Sequence, residues 1–106
     1  MVVDSRRSVR KILKAKAQLS ISNGPPVEGR TIDIGIDGMG MVLPVSVVRG
    51  QNGKVIINMY FDGKAHLVDT AIKVTYCVFS SGEFRVGCQF VRLETAELGS
   101  ISAFLR

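Results

Sequence analysis

The chain has no apolar run long enough to cross a bilayer. Its longest mostly apolar stretch without a charge, Gly38 to Val48, is 11 residues and contains Pro44, whereas a spanning helix needs roughly 20. The first residues, Met1 to Lys11, are charged from Asp4 onward and hold no apolar h-region, so no secretory signal is expected. A cytosolic or cytosol-facing chain is expected. Cysteine is scarce: Cys77 and Cys88 are too few for a disulfide scaffold and fall in segments that read as strands. Both are expected to be reduced. Histidine is scarcer, with His66 alone, in a strand and with no Ser or Cys nucleophile in a recognisable local setting. It reads as an ordinary sheet residue. Cys77, Cys88 and His66 lack ligand spacing, so no metal site is assigned, and the glycine-rich stretch near Gly35 lacks the Gly-Lys-Ser/Thr ending of a P-loop. No catalytic residue, metal or cofactor is assigned, and the chain is expected not to be an enzyme. Seven aromatics in all (5 Phe, 2 Tyr, no Trp), with neither tyrosine near the amino end, supply a poor stacking platform for single-stranded nucleic acid. No DNA or RNA partner is expected.

What the chain does have is a lopsided charge. Its 106 residues leave room for one domain. Of the 14 Lys and Arg, six (Arg6, Arg7, Arg10, Lys11, Lys14 and Lys16) lie within Met1 to Lys16 beside one acid, Asp4, a net +5. The rest, eight bases against eight acids, is neutral. All the excess charge therefore sits at one end, which suits either a solvated tail or a segment built to meet an anion.

Lys14 to Ser22 alternates strictly, with Ala15, Ala17, Leu19 and Ile21 on one face, the pattern of a half-buried strand. Asn23-Gly24-Pro25-Pro26 turns the chain. Val27 to Ile36 reads as the next strand, broken by Gly35, Gly38 and Gly40, which predict a bend or bulge before Met41 to Leu43. Pro44 to Gly53 is a connection. Lys54 to Phe61, then Asp62-Gly63, predicts a hairpin with a type I′ turn, because Asp-Gly tolerates positive φ. Ile72, Val74, Tyr76 and Val78 alternate, as do Phe84, Val86, Cys88 and Phe90. If the two sets share a buried face, Val78 lies opposite Phe84 and Ser80-Ser81-Gly82 forms a three-residue loop, with Cys88 inward and Cys77 outward. From Thr95 the period becomes helical, with Leu98, Ile101 and Leu105 on one face and Thr95 as cap. The expected fold is mainly all-β: a small six-stranded antiparallel barrel with a C-terminal helix.

Two features carry chemistry. In Arg6-Arg7-Ser8-Val9-Arg10, the residues four apart fall on one side of the chain, so Arg6 and Arg10 can clamp one target. Guanidinium groups can fork onto phosphate, pair with guanine O6 and N7, or stack on a base. In Asp33-Ile34-Gly35-Ile36-Asp37-Gly38, a carboxylate able to accept from a guanine edge stands beside glycines that let backbone approach a planar ligand.

An arginine pair ahead of the first strand, an Asp/Gly turn 23 residues after Arg10, and Gly87-Cys-Gln-Phe-Val-Arg-Leu93 before a terminal helix together resemble the PilZ domain family. Family members carry Arg-x-x-x-Arg, then Asp or Asn-x-Ser-x-x-Gly, then a late Gly-x-x-Phe, on a six-stranded barrel. The resemblance runs from Arg6 to the C-terminus. It implies a flexible basic arm over residues 1–13, a barrel with its C-terminal helix over 14–106, and binding of cyclic di-GMP. Arg6 and Arg10 would contact phosphates and guanine faces, with Arg7 in a secondary role, while Asp33 and the Gly35 to Gly38 turn would hold a guanine. Ordering the arm opposes binding by about 1–2 kcal/mol per residue, which charge-assisted contacts must offset. The resemblance further implies regulation of a protein partner or fused effector domain, such as in exopolysaccharide synthesis or motility, in the cytoplasm or as the cytosolic domain of a larger inner-membrane protein. One position departs: the family serine is Gly35. Loss of a neutral hydrogen bond costs about 0.5–1.5 kcal/mol, roughly two- to tenfold in affinity. The alternative reading is a degenerate PilZ-like protein-interaction module that binds no nucleotide.

Overall fold

A computed structural model describes residues 9–106. In chain order it has strands β1 (Lys11–Ile12), β2 (Lys16–Ile21), β3 (Val27–Ile34), β4 (Gly38–Leu43), β5 (Asn52–Phe61), β6 (Lys64–Ser80) and β7 (Glu83–Phe90), then helix α1 (Thr95–Leu105). Alternation lays these strands down. In β2, Ala17 and Leu19 are buried while Lys16 and Gln18 are exposed, and Val55, Ile57 and Met59 do the same for β5. The strands pair antiparallel in the order β3, β2, β5, β6, β7, β4, and β4 pairs back onto β3, closing a six-stranded barrel. Closure removes every long sheet edge. Asp62-Gly63 forms the expected two-residue turn, with φ of 52° and 72°.

The seventh strand is a continuation. β2 pairs with Val27 to Arg30 of β3, and β1 pairs with Asp33 and Ile34 further along, so the N-terminal segment follows one edge of β3 in two pieces. Pairing thus begins at Lys11, ahead of Lys14 where the alternation begins. Thr31 fills the gap between the pieces. Its Oγ1 accepts from the Ala15 amide at 2.9 Å and donates to the Leu13 carbonyl at 2.6 Å. A buried hydroxyl with both partners in place fastens the segment.

Two bulges decide which side chains face outward. β6 and β7 keep the expected register from Ile72 to Val74, with Val74 opposite Cys88, but Thr75 is an extra residue and Tyr76 pairs with Gly87. Beyond it every side chain changes face. The expected pairing of Val78 with Phe84 is therefore wrong: Val78 lies opposite Arg85 and Phe79 opposite Phe84. The loop is the two-residue Ser81-Gly82, with φ of 52° and 80°. Tyr76 and Val78 point outward, and a Cβ on Gly87 would collide with the Tyr76 ring. The ring covers the glycine's missing side chain, a known remedy for sheet glycines. Cys77, expected to point outward, is half-buried against the core; Cys77 and Cys88 are both free thiols.

The second bulge, at Ile32, separates the Thr31–Met41 pair from the Asp33–Gly40 pair. Thr31 is buried, whereas Asp33, which a regular strand would place on the same face, sits on the outer wall.

Helix α1 packs against β6 and buries Ile101, with Phe104 and Leu105 partly buried, but Leu98, expected on the same face, is exposed. Glu94, not Thr95, occupies the N-cap and makes no side-chain cap. The last turn carries no basic residue of its own. Lys11 supplies one from β1: its Nζ donates to the Phe104 carbonyl at 3.1 Å and lies 4.8 Å from the Phe104 ring centre. A cation suits the negative end of the helix dipole.

Candidate functional site

The site lies on the outer wall, above one face of β4. Met39, Met41 and Leu43 of this strand point into the core, while Gly38, Gly40 and Val42 point outward, and all six are buried. Glycines are buried on an outer face only when something lies on top of them. Asp33 lies on Gly40, accepting its amide at 3.0 Å through Oδ1, and a Cβ on Gly40 would approach that oxygen to 3.0 Å. Arg10 lies on Gly38, where a Cβ would come within 3.1 Å of Nη2 and collide with the Cys88 carbonyl.

Between β3 and β4 the turn closes with the Gly35 amide donating to the Gly38 carbonyl at 2.9 Å. Neither glycine is left-handed, so their use is space rather than φ. A Cβ on Gly35 would stand 2.8 Å from the Val9 carbonyl oxygen and 3.0 Å from Arg10 Cγ. The backbone and aliphatic stem of the N-terminal segment occupy the place of the missing side chain.

Arg10 is held by two carboxylates. Nη1 is 3.5 Å from Asp33 Oδ1 and Nε is 3.6 Å from Asp37 Oδ1, with the arginine side chain only 17% exposed. Both distances exceed the usual 2.7–3.2 Å of an N–H···O bond. Among the described residues, buried Arg10 Nε and Asp37 Oδ1 have no hydrogen-bond partner. The pair is attracted but not fastened, and a group offering properly placed acceptors can take the guanidinium over.

Beneath the site, burial pushes the Cys88 thiol up to about 12, against the opposing pull of the Arg10 charge. It stays a thiol at neutral pH and is no nucleophile. His66 stacks on Phe61 at 4.0 Å, and Phe61 meets Phe104 edge-on at 5.4 Å. The described residues contain no cluster of three or more metal-ligating side chains, and none of their helices is long and apolar enough to cross a membrane.

Of the residues singled out in the sequence, Arg10, Asp33, Gly35 and Gly38 come together at this turn. Arg6 and Arg7 lie outside the described residues. Asp37 and Gly40 are members that sequence reasoning did not assign. A second carboxylate four residues after Asp33 was the available signal for Asp37; Gly40 shows its part only through the bulge-shifted pairing with Asp33.

A closed barrel whose basic N-terminal segment lays a guanidinium across a carboxylate-and-glycine turn defines a binding domain of PilZ architecture. The PilZ domain family profile matches residues 4–106, and the chain belongs to that family. PilZ domains are cyclic di-GMP receptor domains rather than enzymes. Among solved structures, the Bacillus subtilis inhibitor of motility (MotI/DgrA) is similar, with a TM-score of 0.84 and 14% identity over 96% of this chain and 50% of that one. YcgR from Escherichia coli in complex with c-di-GMP has a TM-score of 0.79 and 16% identity over 97% and 45%. The PilZ domain of YcgR with c-di-GMP has 0.74 and 14% over 95% and 88%. The chain thus spans about half the length of the first two. No curated protein matches it in sequence.

Proposed function

We propose that this domain is a cyclic di-GMP receptor in which the basic N-terminal segment and the β3–β4 turn grip the dinucleotide together. One observation carries the reading: two motif halves separated by 23 residues meet, with Arg10 lying over Gly38 between Asp33 and Asp37. Arg10 and Arg6 take phosphates and guanine faces, Arg7 assists, and Asp33 with Gly35 to Gly38 receives a guanine edge. Support comes from family membership and from the YcgR structures, which hold c-di-GMP on the same fold.

The output is mechanical. Lys11 follows Arg10 and ties β1 to the end of α1 through the Phe104 carbonyl. When ligand draws Arg10 from the turn, Lys11 moves with it, and the helix end loses its cation. A protein partner or fused effector domain in the cytoplasm reads the altered surface of the N-terminal segment and helix.

Calorimetric titration with cyclic di-GMP, with GTP and cyclic di-AMP as controls, tests the reading. Saturable heat with cyclic di-GMP alone is expected, and Arg6→Ala or Arg10→Ala should abolish it. The second reading, a protein-interaction module without nucleotide, draws on Gly35 in place of the family serine. A wild-type domain silent toward all three nucleotides would select it.

A further inference from the structure

We infer that Asp37 is an internal competitor of the ligand: its carboxylate holds Arg10 closed against the turn and sets the affinity of the site. The inference rests on the receptor reading and adds to it a residue and a regulatory contact. Three observations converge. Asp37 Oδ1 is 3.6 Å from Arg10 Nε, and both atoms are buried without a hydrogen-bond partner among the described residues. An anion therefore already occupies the approach to the guanidinium. Next, the closed position needs Gly35, since a Cβ there would lie 2.8 Å from the Val9 carbonyl, 3.0 Å from Arg10 Cγ and 3.2 Å from Asp37 Oδ1. A serine would wedge the segment away from the turn. Finally, the turn stands without the Asp37 side chain, because its backbone is fixed by the Gly35 amide on the Gly38 carbonyl and the Phe90 amide on the Asp37 carbonyl at 3.0 Å. The carboxylate is left to act on Arg10.

Asp33 differs in kind. Its Oδ1 also receives the Gly40 amide, so it braces β4 whether or not Arg10 is present. Among the described residues, the Asp37 side chain has no such second hydrogen bond. A ligand must therefore displace Asp37 from Arg10, while Asp33 can remain.

The test uses the full chain, wild type and two variants, with two readouts. Without ligand, the rate of tryptic cleavage after Arg10 is followed by mass spectrometry, since the protease must withdraw this side chain from the turn. Asp37→Asn, which removes the charge and keeps the shape, and Gly35→Ser, which wedges the segment, should each speed it severalfold. With ligand, titration of Asp37→Asn with cyclic di-GMP should show binding about three- to tenfold tighter than wild type, the scale of one partly screened ion pair. An unchanged cleavage rate in Asp37→Asn overturns the inference regardless of the nucleotide. Weaker binding in that variant also overturns it, by making Asp37 a ligand contact. Faster cleavage in both variants with no heat from any protein leaves the closed segment standing and removes the receptor reading, together with the competition built on it.

Discussion

Beside the backbone pairing, two side-chain contacts among the described residues join the N-terminal segment to β3 and the turn after it, and they are made to different standards. At Thr31 the hydroxyl has short bonds of 2.9 and 2.6 Å to Ala15 and Leu13, and the residue is 2% exposed. Two residues on along β3, past the Ile32 bulge, Arg10 meets Asp33, and it meets Asp37 in the turn beyond, at 3.5 and 3.6 Å. The first contact has nothing left to offer a ligand; the second, among the described residues, leaves buried polar atoms without a hydrogen-bond partner. In the proposed reading, Thr31 holds the structure and Arg10 is kept available to a ligand. The boundary falls at the bulge, which turns the chain's polar group from core to outer wall.

Substitutions on either side should give opposite profiles. Arg10→Ala is expected to weaken cyclic di-GMP binding by at least about a hundredfold, or about 3 kcal/mol. Its melting temperature should stay within a few degrees, because no core packing is lost. A matched fall in stability would move Arg10 to the structural side. Thr31→Val is the mirror image, leaving Ala15 N–H and Leu13 C=O unpaired in a buried place. Denaturant unfolding should show a loss of about 1–3 kcal/mol, with affinity for the dinucleotide changed less than that of Arg10→Ala.

A smaller effect concerns the floor of the site. The raised Cys88 pKa means the folded state disfavours the thiolate, so its contribution to stability is intact below the ordinary value of 9.0 and is lost as pH rises toward about 12. Between pH 9 and 10 the wild type should lose up to about 1 kcal/mol more stability than Cys88→Ala. Equal slopes would show that the thiol is not buried as described. The smallest effect belongs to Lys11→Met, which removes the cation at the end of α1 and should cost about 0.3–1 kcal/mol. Faster amide exchange is expected only in the last helical turn; no change there would cut the proposed link between site and helix.

How much of this was legible from sequence follows the range of each cause. The Asp62-Gly63 hairpin was readable because its determinant, positive φ, is local. So were the strands β2 and β5, whose alternation matches their burial. The β6–β7 register was readable only as far as Val74, since the bulge at Thr75 goes with Tyr76 covering Gly87, a contact between two strands. Leu98 has helical spacing yet is exposed, while Ile101 is buried as expected and Phe104 and Leu105 pack partly against the core. At the site, residue types and spacing pointed to Arg6, Arg7, Arg10, Asp33, Gly35 and Gly38; the last four come together, and Arg6 and Arg7 lie outside the described residues. Asp37 stood in the same quoted stretch without a role, because its meaning depends on where the Ile32 bulge aims the turn.

The most direct measurement is the NMR signal of the Arg10 Nε–H group during titration with cyclic di-GMP. If this guanidinium is the group that leaves Asp37 for the dinucleotide, its resonance will move saturably with cyclic di-GMP and stay still with GTP. A resonance that does not move while calorimetry reports saturated binding would place the ligand elsewhere on the barrel and contradict the assignment.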